Sequence, residues 1–238
     1  MSTLTALASA LPLASSDNQW FSNPVIEKYL GQATLETLYM TGVSGLLTIL
    51  LGLPLGLALV TTGPKGLHPN RVLNQLLSTV VNIGRSLPFI ILLVAIIPFT
   101  RLLVGTSLGW YAAAVPLTVG AIPFYARLVE SAIGGVEHGK IEAALMMGAR
   151  SSQITWGVLV REALPTLIQG ATVTVITLLG YSAMAGAVGG GGLGDLAIRY
   201  GYQRYMPDVM VITVAAIVLI VGIIQLTGDM LSRLVDHR

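Results

Sequence analysis

Five apolar stretches dictate what this chain can become: roughly Thr37 to Thr61, Leu76 to Pro98, Trp110 to Leu128, Ala171 to Val188 and Val209 to Leu226. Each comes close to the ~18–25 residues that carry a helix across a bilayer. A chain in hydrocarbon must satisfy its own backbone N–H and C=O groups, and a helix does so within one segment. The expected fold is therefore all-α: a polytopic membrane protein with five transmembrane helices. Only 10% of the residues are charged, too few to cover a separate water-soluble domain. Residues 37–228 read as the membrane domain, 1–36 as an extracytoplasmic extension and 229–238 as a cytoplasmic tail.

The ends of the chain carry weaker signals. Leu4, Leu7, Leu11 and Leu13 precede Ala14-Ser15-Ser16 in the manner of a signal sequence. No basic residue comes before them and Pro12 breaks the run, so the segment is expected to stay uncleaved. Val25, Ile26, Tyr29, Leu30 and Ala33 recur at helical spacing beside Glu27, Lys28 and Gln32, which reads as an interfacial helix leading into the first span.

Charge distribution sets an expected orientation. Lys65, Arg71, Arg85, Arg127, Lys140, Arg150, Arg161, Arg233 and Arg238 fall on one side of the five spans, and Lys28, Arg101, Arg199 and Arg204 on the other. The richer side is cytoplasmic by the positive-inside rule, which puts the N-terminus outside and the C-terminus inside. A net charge of +2 gives no reason to expect nucleic-acid binding. The chain has no cysteine, which excludes disulfides, thiolate catalysis and cysteine-ligated metals. His68, His138 and His237 stand apart, so no metal site is expected.

The middles of the spans read as free of ionisable groups, with Arg85, Arg127 and Glu130 placed near cytoplasmic span ends. A proton- or ion-coupled transporter ordinarily needs a buried carboxylate or a broken helix that binds the ion, so energy is expected to enter from outside the membrane. The polar groups within the spans are hydroxyls and amides. Two readings stay open for them: packing between helices, and lining of a path. For the second the candidates are Asn82, Ser86, Thr177, Tyr181 and Ser182, together with Met184. Met146, Met147 and Met184 otherwise read as packing material. Prolines 54, 88, 98, 116 and 123 predict kinks or helix ends.

The loop over residues 135–165 interrupts the apolar pattern with an organised motif. Lys140 to Met147 favours helix, Gly148 can end it in the left-handed conformation, and Ser151 or Ser152 can cap a second helix towards Pro165. Ile141, Ala144, Leu145 and Gly148 share one face, an apolar ridge suited to a groove in another protein. The basic and acidic residues from Gly135 to Pro165 balance, which argues against a DNA-binding helix-turn-helix.

Glu142-Ala143-Ala144, then Leu145 and Gly148, resembles the coupling motif of ABC importer permeases. Asn82 to Leu93, Ile97 to Arg101, Val104 to Ser107 and Gly180 to Met184 resemble the methionine-importer permeases in particular, from about Leu35 to the C-terminus. The resemblance implies a subunit of the bacterial inner membrane that translocates D- or L-methionine as a homodimer. It further implies two cytoplasmic ABC ATPase subunits seated on Glu142, Ala143, Ala144, Leu145 and Gly148, and an extracytoplasmic substrate-binding protein. Another amino acid or a methionine-containing peptide as cargo, an ATPase-independent secondary transporter and a membrane scaffold are the alternatives. One departure stands out: the family's Ile-x-Leu-Pro register reads Val158-Leu159-Val160-Arg161 here, with proline delayed to Pro165, so the second helix is expected to run longer or bend later.

Gly189, Gly191 and Gly194 fit G-x-G-x-x-G but follow a membrane span where a nucleotide site needs a strand. No P-loop sequence occurs either. The chain is expected to bind no cofactor and catalyse nothing itself, with ATP and Mg on the partner ATPase. The glycines read as a close bend, and Asp195, Arg199, Tyr200, Tyr202, Arg204 and Tyr205 beyond them as an outer surface. That surface suits either an aromatic interfacial belt or docking of a binding protein on Arg199, Tyr202 and Arg204.

Overall fold

The computed structural model describes residues 23–236, and within them every regular element is a helix. The signal-like run at the N-terminus, His237 and Arg238 lie outside the described residues. Asn23 starts the first helix: its side chain accepts from the Val25 N–H at 2.9 Å, and Pro24 fills the first turn, where no N–H is needed. Helix α1 (Pro24–Thr62) then continues for 39 residues.

That continuity corrects the expected division into an interfacial helix and a first span. The face formed by Val25, Ile26, Tyr29, Leu30 and Ala33 packs with Leu179, Leu193, Leu196, Val209 and Ile220 of later elements. Asn23 Nδ2 also donates to Asp208 Oδ2 at 2.6 Å. An apolar face that finds partners within the protein gains no advantage from turning aside onto lipid.

After α1 come α2 (Arg71–Ser86), α3 (Phe89–Ala95), α4 (Ile97–Val104), α5 (Trp110–Gly134) and α6 (His138–Met146). A continuous lead-in of Ser151–Gln153 and a π-helical stretch, Ile154–Val160, opens into α7 (Arg161–Ala185). The chain closes with α8 (Gly192–Leu196) and α9 (Pro207–Val235). Among the described residues four helical segments are long and apolar enough to cross a membrane: Pro24–Thr62, Trp110–Gly134, Ser151–Gly190 and Pro207–Val235.

The expected second span is instead bent. α2 and α3 meet at 102°, and counting them as one broken span makes five. Pro88 explains the break, since it has no N–H to continue α2 and pushes Leu87 to an extended φ of −83° and ψ of 126°. Pro98 sits in the first turn of α4, whereas Pro54, Pro116, Pro123 and Pro165 lie inside longer helices. The second helix of the loop therefore runs straight through Pro165, longer than the family register.

Helices α1 and α5 form the central seam. Gly52 and Gly56 face Tyr125 and Val129 so closely that a Cβ on Gly56 would stand 2.5 Å from Val129 Cβ and 2.7 Å from the Ala126 carbonyl oxygen. Gly84 brings α2 onto Pro123 of α5, and Gly228 brings α9 onto Thr172 of α7. Small residues at helix contacts are how membrane helices approach when the surrounding lipid is as apolar as their side chains.

Gly56→Val should therefore force the α1–α5 seam apart and destabilise the detergent-solubilised protein by ~1–3 kcal/mol, read as a lower Tm. Gly222→Ala, whose Cβ would meet nothing within 4 Å, should leave Tm nearly unchanged.

Candidate functional site

Helix α6 is a short stub ended by a built-in stop. Gly148 takes φ +77°, its N–H donates to the Leu145 carbonyl at 2.9 Å, and the Ala149 N–H donates to the Ala144 carbonyl at 3.1 Å. These two crossed bonds form a Schellman turn, which needs a left-handed residue where glycine stands. The next helix is capped by Arg150 and not by Ser151 or Ser152: Gln153 Oε1 reaches back to accept from the Arg150 N–H at 2.8 Å.

The two faces of α6 differ from the expected ridge. Ala144 is buried, and Ile141 and Ala149 pack with it against Ile154, Leu159 and Ala163 of the following helix. Lys140 Nζ pairs with the Glu162 carboxylate across the same junction. The face turned away carries Glu142, Leu145, Met146 and Met147, with the methionines 90% and 81% exposed. His138 lies 3.6 Å from Glu142 along it. The apolar ridge thus fixes α6 to its own domain. Met146 and Met147, read from the sequence as packing material, are instead its most exposed side chains. Their position just before Gly148 was the available signal, because the last turn of a stub cannot bury both sides.

Ala143 and Met147 also border a cleft of about 660 Å³ shared with Arg161, Gln169 and the end of α9. Ser232 donates to the Pro165 carbonyl at 3.1 Å in its wall. The α6 stub is thus packed onto the start of α7 and is not a free loop.

The path candidates do not share one surface. Ser182 is buried and donates to the Leu179 carbonyl at 2.7 Å; Thr177 and Ser86 likewise bond back to Val173 and Asn82 carbonyls, each at 2.8 Å. Met184 is about half exposed, on an open stripe of α7 with Val173 and Gly180. Tyr181 stacks flat on Phe89, centroids 4.5 Å apart. Asn82 Oδ1 accepts from Arg127 at 2.8 Å, and Arg127 pairs with Glu130.

Arg85 is exposed in the last turn of α2, and its neighbour Gly84 lies against Pro123, near the midpoint of the 25-residue α5.

The glycine run forms a clamp that the sequence did not disclose. Gly189, Gly191 and Gly192 take φ of +91°, +78° and +76°, and a Cβ on Gly194 would stand 2.5 Å from Ala183 Cα. The folded-back loop leaves the N–H groups that start α8 pointing at α1. Glu36 Oε2 accepts from the Gly192 N–H and Thr37 Oγ1 from the Leu193 N–H, both at 2.8 Å, while Gln32 steadies Glu36 at 2.8 Å. A carboxylate at a helix start suits both the unpaired donors and the dipole.

Beyond the clamp, Arg199 pairs with Asp195 at 2.8 Å. Arg204 lies over the Tyr200 ring at 4.6 Å, and Tyr200 stacks on Tyr29 at 5.5 Å. Tyr202 and Tyr205 are left exposed. Of the three docking candidates, Arg199 and Arg204 are thus engaged within the chain and Tyr202 projects.

The family described as "Binding-protein-dependent transport system inner membrane component" matches residues 48–238. The probable D-methionine transport system permease protein MetI of Vibrio cholerae is 54% identical over 92% of this chain and 97% of its own. The methionine import system permease protein MetP of Bacillus subtilis is 48% identical over 88% of this chain and 94% of its own. A solved structure of the inward-facing MetNI methionine ABC transporter contains a chain 49% identical to this one. It superposes with a TM-score of 0.88 over 90% of this chain and 100% of that one.

Glu36→Ala should leave the Gly192 N–H without its acceptor and lower stability by ~1–2 kcal/mol, with faster hydrogen exchange confined to α8 and the glycine loop. Gly148→Ala should cost ~1–2 kcal/mol at the left-handed position and speed exchange in residues 143–149, with Tm of the membrane helices little changed.

Proposed function

Because the chain belongs to the family of binding-protein-dependent transport system inner membrane components, we propose the following division of labour for it. It is the membrane-spanning permease subunit of an ATP-driven ABC importer of methionine, working as a pair of copies. Its cytoplasmic partners are two ATPase subunits that bind ATP and Mg, and an extracytoplasmic binding protein delivers the amino acid. The observation that carries the coupling role is the α6 stub, rooted by Ala144 and stopped by Gly148, with Glu142, Leu145, Met146 and Met147 presented outwards.

In this role, closure of the ATPase subunits around nucleotide displaces α6. A helix anchored through Ile141, Ala144 and the Lys140–Glu162 pair moves its own domain with it. Apolar methionines are adaptable plugs for a groove on the partner, and Glu142 supplies an acceptor at the rim. Ala143 and Gly148 keep the approach close by being small.

The orientation that fits this role has α6 in the cytoplasm and the Tyr202 surface outside. The bias of the basic residues towards the α6 side supports the same orientation. The cysteine-free sequence makes this directly testable. Single cysteines at Met146 and Tyr202 in right-side-out vesicles should react oppositely with an impermeant maleimide: Tyr202→Cys labelled, Met146→Cys protected until the vesicles are opened. The reverse pattern would invert the topology.

Proteoliposomes holding the permease, its ATPase and the binding protein should take up methionine only with ATP. Met146→Asp with Met147→Asp should cut uptake about tenfold or more by placing charges in a desolvated contact, while membrane insertion stays normal. Uptake driven by an ion gradient without the ATPase would overturn the coupled reading.

A further inference from the structure

Arg85 is an exposed cation on the bent helix pair α2–α3. Among the described residues no carboxylate lies within ion-pair distance of its guanidinium, whereas Arg127, about one turn beyond Pro123 on α5, has both Glu130 and Asn82. Arg85 also closes one side of a cavity of about 130 Å³. The rest of the wall is Gly84, Leu87, Phe89, Leu92, Gly120, Phe124 and the Tyr181 ring stacked on Phe89.

The cavity is created by particular features of the sequence. Pro88 bends α2 from α3 by 102°, which swings Phe89 and Leu92 away from the line of α2 and onto Gly120. Gly120 has no side chain to fill the corner so formed. Apolar voids near ~150 Å³ take up a benzene ring, so this one has room for a thin unbranched side chain. One polar feature borders it, a cation that needs an anion.

We propose that Arg85 and this cavity form a transient intramembrane site for a zwitterionic amino acid with an unbranched thioether side chain. The substrate carboxylate takes the guanidinium, and the thioether lies among Phe89, Leu92, Phe124 and Tyr181. Guanidinium and carboxylate form a forked, charge-assisted pair, and sulfur packs favourably at aromatic rings. A carboxylate arriving at the exposed Arg85 guanidinium gains a counter-charge that the described residues do not supply. Branched side chains are refused by the narrowness of the pocket. The site lies beside the open stripe of α7 that carries Thr177, Gly180 and Met184, from which the cavity can be reached.

This inference rests on the methionine-import reading, and the test keeps the two apart. A diazirine analogue of methionine is photolysed on the assembled permease, ATPase and binding protein in proteoliposomes, and the labelled permease residues are mapped by mass spectrometry. Label is expected on Leu92, Phe124 or Tyr181, displaced by excess methionine and not by methionine amide, which lacks the carboxylate. Arg85→Gln should reduce this label and ATP-driven uptake about tenfold or more, while Arg85→Lys retains part of both. Should Arg85→Gln assemble poorly, Gly120→Val, which fills the cavity and leaves the charge, should block the label. Wild-type uptake of methionine with label absent from these residues, or unchanged in both variants because Arg85 pairs with a second copy, overturns the site alone. Failure of the wild-type assembly to import methionine overturns the functional reading instead.

Discussion

The seam between α1 and α5 is the contact from which the other positions follow. In lipid there is no water to drive apolar helices together, so close approach depends on shape. Gly52 and Gly56 let α1 lie against Tyr125 and Val129 at a separation that no side chain on those positions would allow. With that seam set, the N-terminal half of α1 brings Glu36 and Thr37 to the start of α8. The middle of α5 presents Pro123 to Gly84 of α2, beside Arg85. The C-terminal end of α5 leads into α6.

Polar chemistry is used sparingly and in different ways at three depths. At one end a carboxylate satisfies the backbone donors of a folded-back glycine loop. Between the ends the Arg85 guanidinium stands beside a small cavity, with no carboxylate paired to it among the described residues. At the other end Lys140 and Glu162 fasten the α6 stub to α7, and Ser232 ties α9 to the Pro165 carbonyl. An importer needs rigid parts that move as units, and these are local fastenings of that kind. The hydroxyls of Thr177, Ser86 and Ser182 are absorbed by their own helices.

Much of the fold was legible from residue pattern because the bilayer makes apolar length a direct constraint. The membrane helices, the stop at Gly148 and the close bend of the glycine run were all readable from the chemistry of those residues. Three-dimensional partners decided the rest. Pro88 announced a kink but not its 102° angle, which depends on what Phe89 and Leu92 find on α5. The apolar face of residues 25–33 looked interfacial because its partners, Leu193 and Val209, lie more than 150 positions away. Ala144 and Met146 share one helix, and only the packing of α6 on the next helix says which faces inwards. The cavity beside Arg85 was not legible because Gly120 and Tyr181, which line it, meet Arg85 only in three dimensions.

In the proposed role, transmission of a partner's ATP cycle to the membrane helices runs through α6. Its most direct test is pulsed electron spin resonance on the assembled importer, with a spin label at Met146 in one preparation and at Thr177 in another, comparing copy-to-copy distances without nucleotide and with ATP trapped. If α6 and α7 move as one fastened body, both distances should change on trapping. A shift at Met146 with Thr177 unmoved, or no shift at either, would contradict transmission through this helix.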